Sequence, residues 1–329
     1  MKRGSALRRV PASHPMRLAE GSGNEGDVCA FELSRDAGAI TIEAVTGRAM
    51  QIAPGDRFLG TAGYRESTRW VVGTLPEGGL VPGSDYWVLA DCGVVGTYLG
   101  DSPRQKGHLG QVRFLGIMHD ASGATLNMGQ FALRPKASAD HGAPAFLVVG
   151  TSSEVGKTTA AISVLQALRR SGRASVVALK ATGTSSLTEL HSYQDFGAEP
   201  CLDCVDFGLP TTYPTGRDQV GEYFDAVLDT SLAIAADAIL IECGGDVLGA
   251  NVPAFLTRLV ARRPAVRVIL AASDSLAALG AKSVLGEMGL AVTLITGPCT
   301  DTPTIERRTR DLCGVPAMNL ARGEPVALF

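Results

Sequence analysis

The stretch that decides the fold of this chain reads Phe146-Leu-Val-Val-Gly150-Thr-Ser-Ser-Glu-Val-Gly156-Lys157-Thr158-Thr159. It combines an apolar run of strand length, a turn of small residues, and a segment with helical periodicity that begins at Lys157. Backbone N–H groups in such a turn, and at the N-terminus of the following helix, form a cradle for phosphate oxygens. The sequence therefore predicts a phosphate-binding loop (P-loop) between a buried strand and a helix.

Each residue type in this loop has a physical role in nucleotide binding. Gly156 allows close approach of the backbone, Lys157 is expected to reach the β- and γ-phosphates, and the Thr158 hydroxyl is expected to coordinate Mg²⁺. Gly150 lies one residue further from Gly156 than the pattern G-x-x-x-x-G-K-[ST] allows, so Thr151 stands where the first glycine is usual. The predicted nucleotide-binding residues are Thr151, Ser152, Ser153, Glu154, Val155, Gly156, Lys157, Thr158 and Thr159.

The loop lies within a region where apolar, strand-length runs alternate with helical periodicity. The predicted strands are 145–149, 175–179, 238–241, 266–270, 291–295 and 317–320, and the predicted helices are 157–171, 217–235, 252–261, 275–288 and 305–312. Continuous β-branched runs that alternate with amphipathic helices predict an α/β fold, in which helices cover both faces of a parallel sheet.

The N-terminal part of the chain has a different pattern. Short β-like runs at 39–45, 68–74, 85–90 and 111–117 are separated by turn signals such as Pro54-Gly55-Asp56. This pattern predicts a smaller β-rich domain, either a barrel or a sandwich. The predicted organisation is a mobile tail at 1–27, the β-rich domain at 28–133, a polar linker at 134–144 and the P-loop domain at 145–329.

The composition excludes several classes of partner. A formal net charge of −3 and an aromatic content of 5% argue against nucleic acid as the main partner. No apolar stretch is long enough to span a bilayer, and the basic N-terminus lacks the apolar core of a secretory signal. Seven scattered cysteines do not suggest a secreted disulfide framework. We therefore predict a cytoplasmic protein with a small-molecule substrate and without nucleic-acid or membrane partners.

Four charged side chains outside the loop are further candidates for the site. Glu242 ends an apolar strand, where a carboxylate can hold Mg²⁺ or simply cap the next loop. Lys180 also ends a strand, where it can orient an anionic substrate or merely enter solvent. Asp203 and Asp206 are alternatives for a second metal carboxylate.

The pair Cys201-Leu-Asp-Cys204 has the spacing of metal ligands but no second pair to complete a tetrahedral site. Buried cysteines, or a metal site shared across a dimer axis, would both account for it. His191 and Tyr193 follow the second strand of this region, where they could line a substrate pocket or lie on a surface helix.

Three of these segments carry a resemblance to dethiobiotin synthetase. The loop from Gly150 to Thr158 is similar to the phosphate loop of that enzyme in its extended spacing and its Glu-Val-Gly-Lys-Thr ending. Val177-Ala-Leu-Lys180 resembles its strand that ends in a substrate-contacting lysine, and Ile239-Leu-Ile-Glu242-Cys-Gly-Gly245 resembles its strand that ends in a magnesium-holding glutamate. The resemblance covers about 145–320. It implies a homodimer, with Lys157 and Lys180 as catalytic residues.

A second, less characterised P-loop family, implicated in D-amino-acid metabolism, is also similar in two segments. These are Lys180-Ala-Thr-Gly183 and Val205-Asp206-Phe207. This resemblance favours Asp206 over Asp203 as the second metal ligand.

Two functions follow as hypotheses. The first is an ATP- and Mg²⁺-dependent enzyme that activates a carboxylate or carbamate of a small molecule by phosphoryl transfer, a reaction that needs mainly positioning and charge stabilisation. The second is a nucleotide-driven switch or metallochaperone-type NTPase that acts on a protein partner, with Cys201 and Cys204 as metal ligands. A third possibility is that the β-rich domain binds a ligand while the P-loop domain senses nucleotide. No Asn-Lys-x-Asp motif occurs at 293–301, which favours adenine, and Ser152 stands where ParA-type ATPases carry a lysine.

Overall fold

A computed structural model of the chain describes residues 1–67, 69–103, 110–134, 140–213 and 218–323. The chain divides into two compact units. The first comprises Met1–Leu133, Thr184–Thr188 and Cys204–Pro214, and the second comprises Arg134–Gly183, Glu189–Asp203 and Thr215–Phe329. Residues 135–139 of the predicted linker, residue 68 of a predicted strand and residue 217 of a predicted helix lie outside the described residues.

The first unit is built from short strands. They are β1 (Lys2–Arg3), β2 (Arg17–Ala19), β3 (Val28–Leu33), β4 (Ile40–Glu43), β5 (Ala49–Ile52), β6 (Arg57–Ala62), β7 (Arg65–Glu66), β8 (Val71–Thr74), β9 (Asp85–Ala90), β10 (Val94–Asp101) and β11 (Gln111–His119). The order β6-β3-β11-β9-β10 is antiparallel throughout, and β10 pairs with β6 in parallel. These pairings form a closed ring of five strands, which is a small β-barrel.

Aromatic side chains fill the core of this unit. Phe31 on β3 is in register with Phe58 on β6 and with Phe114 on β11. Its ring centroid lies 5.7 Å from that of Phe58 and 5.6 Å from that of Phe114, and all three side chains are fully buried. Because side chains alternate between the two faces of a strand, this register places the three rings in one interior layer.

The first 27 residues belong to this unit, and the expectation of a mobile tail is wrong. β1 pairs in parallel with β6, and β2 pairs with β11. Leu7 and Val10 are buried in a cluster with Val28, Ala30 and Leu59. The segment is polar in composition and has no periodicity. Its few apolar residues pack on strands elsewhere in the unit, and the sequence of the segment itself does not indicate this packing.

The second unit contains the predicted α/β fold. Its elements are β12 (Ala145–Gly150), α1 (Lys157–Arg170), β13 (Val176–Thr182), α2 (Leu187–Asp195, whose first two residues are grouped with the first unit), β14 (Ala198–Leu202), α3 (Asp218–Leu232), β15 (Ala238–Cys243), α4 (Val252–Arg262), β16 (Arg267–Ala271), α5 (Ser275–Glu287), β17 (Val292–Thr296) and α6 (Pro303–Cys313). The strand order is β14-β13-β15-β12-β16-β17, and each pair of neighbours is parallel. None of the helices in the described ranges combines the length and the hydropathy needed to cross a membrane.

Three details of the second unit differ from the predictions. Neither α2 nor β14 was predicted, because α2 is mainly polar and Pro200 interrupts the apolar run of β14. The predicted strand at 317–320 is a single parallel bridge between Ile295 and Ala317, followed by a 3-10 helix at Leu320–Arg322. β14 tolerates its proline because it lies at the edge of the sheet.

The first two residues of α2, which are grouped with the first unit, bind a buried carboxylate of that same unit. Glu43 accepts hydrogen bonds from the backbone N–H groups of Leu187 at 3.0 Å and Thr188 at 2.9 Å. It also accepts from the hydroxyl groups of Thr188, at 3.0 Å, and Ser5. The first N–H groups of a helix have no partner within the helix and carry a partial positive charge. A carboxylate at this position accepts their hydrogen bonds and also balances that charge.

We expect Glu43→Ala to lower the free energy of unfolding by about 2 to 4 kcal/mol, because buried donors lose a charged acceptor. The measurement is denaturant unfolding followed by circular dichroism. Glu77→Ala is the matched control, since Glu77 is exposed in the same unit, and its effect should stay within about 0.5 kcal/mol. Equal effects of the two substitutions would contradict a capping role for Glu43.

Candidate functional site

The candidate site lies where parallel strands of the second unit end. Gly150 ends β12, while Lys180 and Glu242 are register partners near the ends of β13 and β15. β15 in turn pairs with β12, where Glu242 is opposite Val148. The carboxyl ends of parallel strands lie along one edge of the sheet, and this edge is where open α/β folds bind ligands. The sheet therefore brings the predicted residues Lys180 and Glu242 to the predicted phosphate loop.

The loop leads into the N-terminus of α1. Gly156 precedes the helix with φ of 88°, and Glu154 also has a positive φ of 61°. Within the described residues, no side chain caps this N-terminus. First-turn N–H groups lack helical partners and lie at the positive end of the helix dipole. The N-terminus of α1 therefore has the chemistry of an anion site, as the sequence predicts for Thr151 to Thr159.

Lys157 folds back over this loop. Its ammonium donates a hydrogen bond to the Ser152 carbonyl oxygen at 2.7 Å, and only 8% of the residue is exposed. Burial lowers the pKa of Lys157; the nearby Glu242 opposes this shift, and the nearby Lys180 adds to it. A buried cation that has a second cation beside it gains stabilisation from a bound anion. The arrangement therefore favours phosphate near Lys157.

The two residues predicted to hold magnesium in this unit are in contact. The Thr158 hydroxyl donates to Oε1 of Glu242 at 3.2 Å, and Glu242 is 2% exposed. A hydroxyl and a carboxylate are the oxygen ligands that Mg²⁺ takes beside a bound nucleotide. No cluster of three or more His, Cys, Asp or Glu side chains suited to a metal occurs in the described part of the chain. Thr158 and Glu242 are therefore the residues that would hold Mg²⁺ here, where the ion would supply charge neutralisation.

α2 contributes two side chains to the site: Tyr193, which the sequence predicts either in a substrate pocket or on a surface helix, and Glu189, which the sequence does not single out. The Tyr193 hydroxyl donates to Oε2 of Glu242 at 2.6 Å, and Glu189 forms an ion pair with Lys180. Burial, followed by the nearby Glu242 charge, raises the pKa of Tyr193 well above its ordinary value, so the phenol keeps its proton. The two residues are four positions apart and share one face of α2. That i, i+4 spacing is the signal by which a recognised helix would have identified them.

Glycines allow the loops of the site to pack closely. A Cβ atom on Gly244, after β15, would lie 2.4 Å from the Thr182 carbonyl oxygen. Gly297, after β17, has φ of 93°, and a Cβ there would lie 2.6 Å from the Val155 carbonyl oxygen of the phosphate loop. Side chains at either position would displace backbone, so both loops require glycine. The sequence analysis did not identify Gly297, because its contact is distant in sequence.

Asp206, the predicted second metal ligand, already has partners in the first unit. Its Oδ2 accepts from Arg8 Nη2 at 2.7 Å, and Arg9 Nη1 lies 4.0 Å from its Oδ1. Arg8 also contacts the Ser185 hydroxyl at 3.3 Å. An ion pair with arginine compensates the cost of burying this carboxylate. A metal-binding role for Asp206 stays a prediction, and Asp203, its alternative, is buried in the second unit.

The pair Cys201 and Cys204 shows ordinary thiol contacts. The Cys201 sulfur contacts the Ala198 carbonyl oxygen at 3.3 Å, and the Cys204 sulfur contacts the Pro210 carbonyl oxygen at 3.7 Å. Metal binding by these two residues stays a prediction.

The parallel sheet, the loop ahead of α1 and the Thr158–Glu242 contact define the second unit as a P-loop nucleotide-binding fold. No family model matches the sequence, and no curated protein matches it either. Among solved structures, FtsY from Mycoplasma mycoides in space group H32 is similar at 14% identity and a TM-score of 0.36, over 57% of this chain and 64% of that chain. FtsY from the same organism in another crystal is similar at 15% identity and a TM-score of 0.37, over 56% of this chain and 64% of that chain.

Cell division protein FtsY from Thermotoga maritima gives 21% identity and a TM-score of 0.34, over 56% of this chain and 62% of that chain. The chain thus covers less than two thirds of the length of each of these structures.

We expect Gly297→Ala to weaken nucleotide binding about tenfold, equivalent to about 1.4 kcal/mol, because the new Cβ would push the phosphate loop at Val155. The measurement is titration with a fluorescent nucleotide. Gly280→Ala is the matched control: it lies within α5 with open space around it, so nucleotide affinity should not change. Unchanged affinity in both variants would mean that the phosphate loop does not depend on the contact at Gly297.

Proposed function

We propose that this protein is an ATP- and Mg²⁺-dependent enzyme that activates a carboxylate or carbamate of a small molecule by phosphoryl transfer. The observation that carries the proposal is the presence of a second buried lysine, Lys180, at the same sheet edge as Lys157 and Glu242. Nucleotide binding alone is accounted for by the loop, Lys157 and Thr158. An additional buried cation is suited to an anionic second substrate or to a phosphoryl group in transfer.

Each residue of the site has a task in this reaction. The N–H groups of α1 and the ammonium of Lys157 would bind the β- and γ-phosphates, while Thr158 and Glu242 would hold Mg²⁺, which supplies charge neutralisation. A carboxylate or carbamate oxygen would form its bond to the γ-phosphorus as the bond to the β–γ bridging oxygen breaks, and the nucleoside diphosphate would leave with that electron pair. Lys180 would stabilise the negative charge on the transferring group.

The Lys180–Glu189 ion pair is consistent with this role. Lys180 is 7% exposed, and its charge is compensated by a carboxylate that is itself about one third exposed. Burying a cation without a counter-ion is costly, so Glu189 stabilises Lys180 in the free protein. An anionic substrate at Lys180 would take over part of that compensation.

The choice of adenine, the homodimer and the cytoplasmic location are parts of the same proposal. The choice of adenine rests on residues 293–301, which begin within β17 and continue past its end, and which contain no guanine-reading Asn-Lys-x-Asp motif. The homodimer rests on the resemblance to dethiobiotin synthetase, and the location rests on composition.

The first test measures nucleotide hydrolysis with Mg²⁺, comparing ATP with GTP, alone and with pools of small amines and carboxylic acids. We expect ATP turnover that rises sharply with one pool and falls about a hundredfold or more in Lys157→Met. Lys282→Met is the control, because that ammonium contacts the Cys313 carbonyl at the end of α6. Slow turnover that no pool stimulates, or turnover specific for GTP, would contradict the proposal and favour a nucleotide-driven switch.

The second test separates nucleotide binding from the transfer step. In Lys180→Met we expect nucleotide affinity within about threefold of wild type, but a loss of about a hundredfold in turnover stimulated by the small molecule. The measurements are fluorescent-nucleotide titration and steady-state kinetics on the same preparations. If Lys180→Met lost affinity and stimulated turnover in equal proportion, Lys180 would be a nucleotide ligand and the observation that carries the proposal would fail.

A further inference from the structure

Both carboxylate oxygens of Glu242 have a hydroxyl donor. Oε1 accepts from Thr158 at 3.2 Å, and Oε2 accepts from Tyr193 at 2.6 Å. Tyr193 is fully buried and Glu242 is 2% exposed. The shorter bond comes from the residue that does not belong to the phosphate loop. Glu242 is therefore held from two sides, by α1 and by α2.

The two bonds make the orientation of the carboxylate definite. A carboxylate at the end of a flexible side chain can rotate about its last torsion, which is broad and roughly two-fold. A donor fixed on Oε2 removes that freedom and leaves Oε1 directed at the Thr158 hydroxyl. In metal sites the groups that hydrogen-bond to a ligating carboxylate orient it, and removing such a partner typically costs about 10- to 100-fold in metal affinity or activity.

We propose that Tyr193 is a positioning residue of the magnesium site, which holds Glu242 by Oε2 so that Oε1 and the Thr158 hydroxyl face the same ion. The inference rests on the proposed function in one respect, that the site takes nucleotide with Mg²⁺. Tyr193 would act through Glu242, to which its hydroxyl donates.

The position of α2 supports this role. Tyr193 and Glu189 lie one turn apart on the helix, and they bind Glu242 on β15 and Lys180 on β13. Glu242 and Lys180 are register partners on neighbouring strands. The rise of one helical turn along α2 is close to the distance between two neighbouring strands, so the two side chains of α2 can reach both partners. Leu190 is buried beside them in sequence and contributes to the packing of the same helix. The position of the Tyr193 phenol is thus set by a helix that contacts both strands and is packed through Leu190.

The test compares two buried tyrosines of the second unit. Tyr193→Phe removes the hydroxyl that binds Glu242, and Tyr223→Phe, the matched control, removes one that donates to the Ala181 carbonyl at 2.9 Å. The affinity for fluorescent ATP is measured with Mg²⁺ and with EDTA, and the ratio of the two affinities is the magnesium-dependent gain. We expect that gain to fall about tenfold in Tyr193→Phe, with affinity in EDTA within about twofold of wild type. In Tyr223→Phe the gain should equal that of wild type.

A wild-type gain in Tyr193→Phe would overturn the inference. So would an equal loss in both variants, because loss of any buried hydroxyl would then explain it. Melting temperatures of both variants show that each is folded at the assay temperature.

A second measurement tests the bond between Tyr193 and Glu242 without nucleotide, so that a failure of this bond is distinguished from a failure of the proposed magnesium-dependent binding. Melting temperatures of the nucleotide-free protein are compared for Tyr193→Phe, Glu242→Gln and the double variant. A decrease in the double variant that is clearly smaller than the sum of the single decreases supports the positioning bond. Strict additivity, as expected for Tyr223→Phe combined with Glu242→Gln, would overturn it.

Discussion

The candidate site depends on one buried carboxylate, that of Glu242. Burying a charged group is costly unless hydrogen bonds and opposite charges compensate it. Here Thr158 and Tyr193 each donate to one oxygen, and the cations Lys157 and Lys180 lie nearby. These partners come from α1, α2 and β13, so the compensation of one charge requires several elements to be correctly placed.

The parallel sheet explains why these groups meet. Residues far apart in sequence reach one edge because parallel strands end together. Close packing then restricts the loops at that edge. Gly244 lies against the Thr182 carbonyl, and Gly297 lies against the Val155 carbonyl of the phosphate loop. Backbone packed this closely leaves little room for a side chain at either glycine, and a substitution at Gly297 would displace the loop that is predicted to bind phosphate.

The first unit also contains buried carboxylates that are compensated by hydrogen bonds or by an opposite charge. Glu43 satisfies the first N–H groups of α2, and Asp206 is paired with Arg8. Both carboxylates are nearly inaccessible, and both hold together segments that are distant in sequence. The closed strand ring leaves the barrel without a free edge between β6 and β10, and the N-terminal residues extend it through β1 and β2. The ion pair with Arg8 gives Asp206 a structural role, and metal binding by Asp206 stays a prediction.

The sequence by itself determined the α/β fold, the phosphate loop and the contribution of Lys180 and Glu242 to one sheet edge, because these depend on local periodicity and on the rule for parallel strands. It also indicated a β-rich N-terminal region. The expectation of a mobile tail at residues 1–27 was wrong, because the burial of these residues depends on strands elsewhere in the chain. Only the tertiary structure decided that Tyr193 and Glu189 belong to the site, because α2 is too polar for its period to be evident. Likewise, only the structure showed the arginine partner of Asp206 and the approach of Gly297 to the loop. Contacts between residues distant in sequence depend on how strands and helices pack, and local patterns do not encode them.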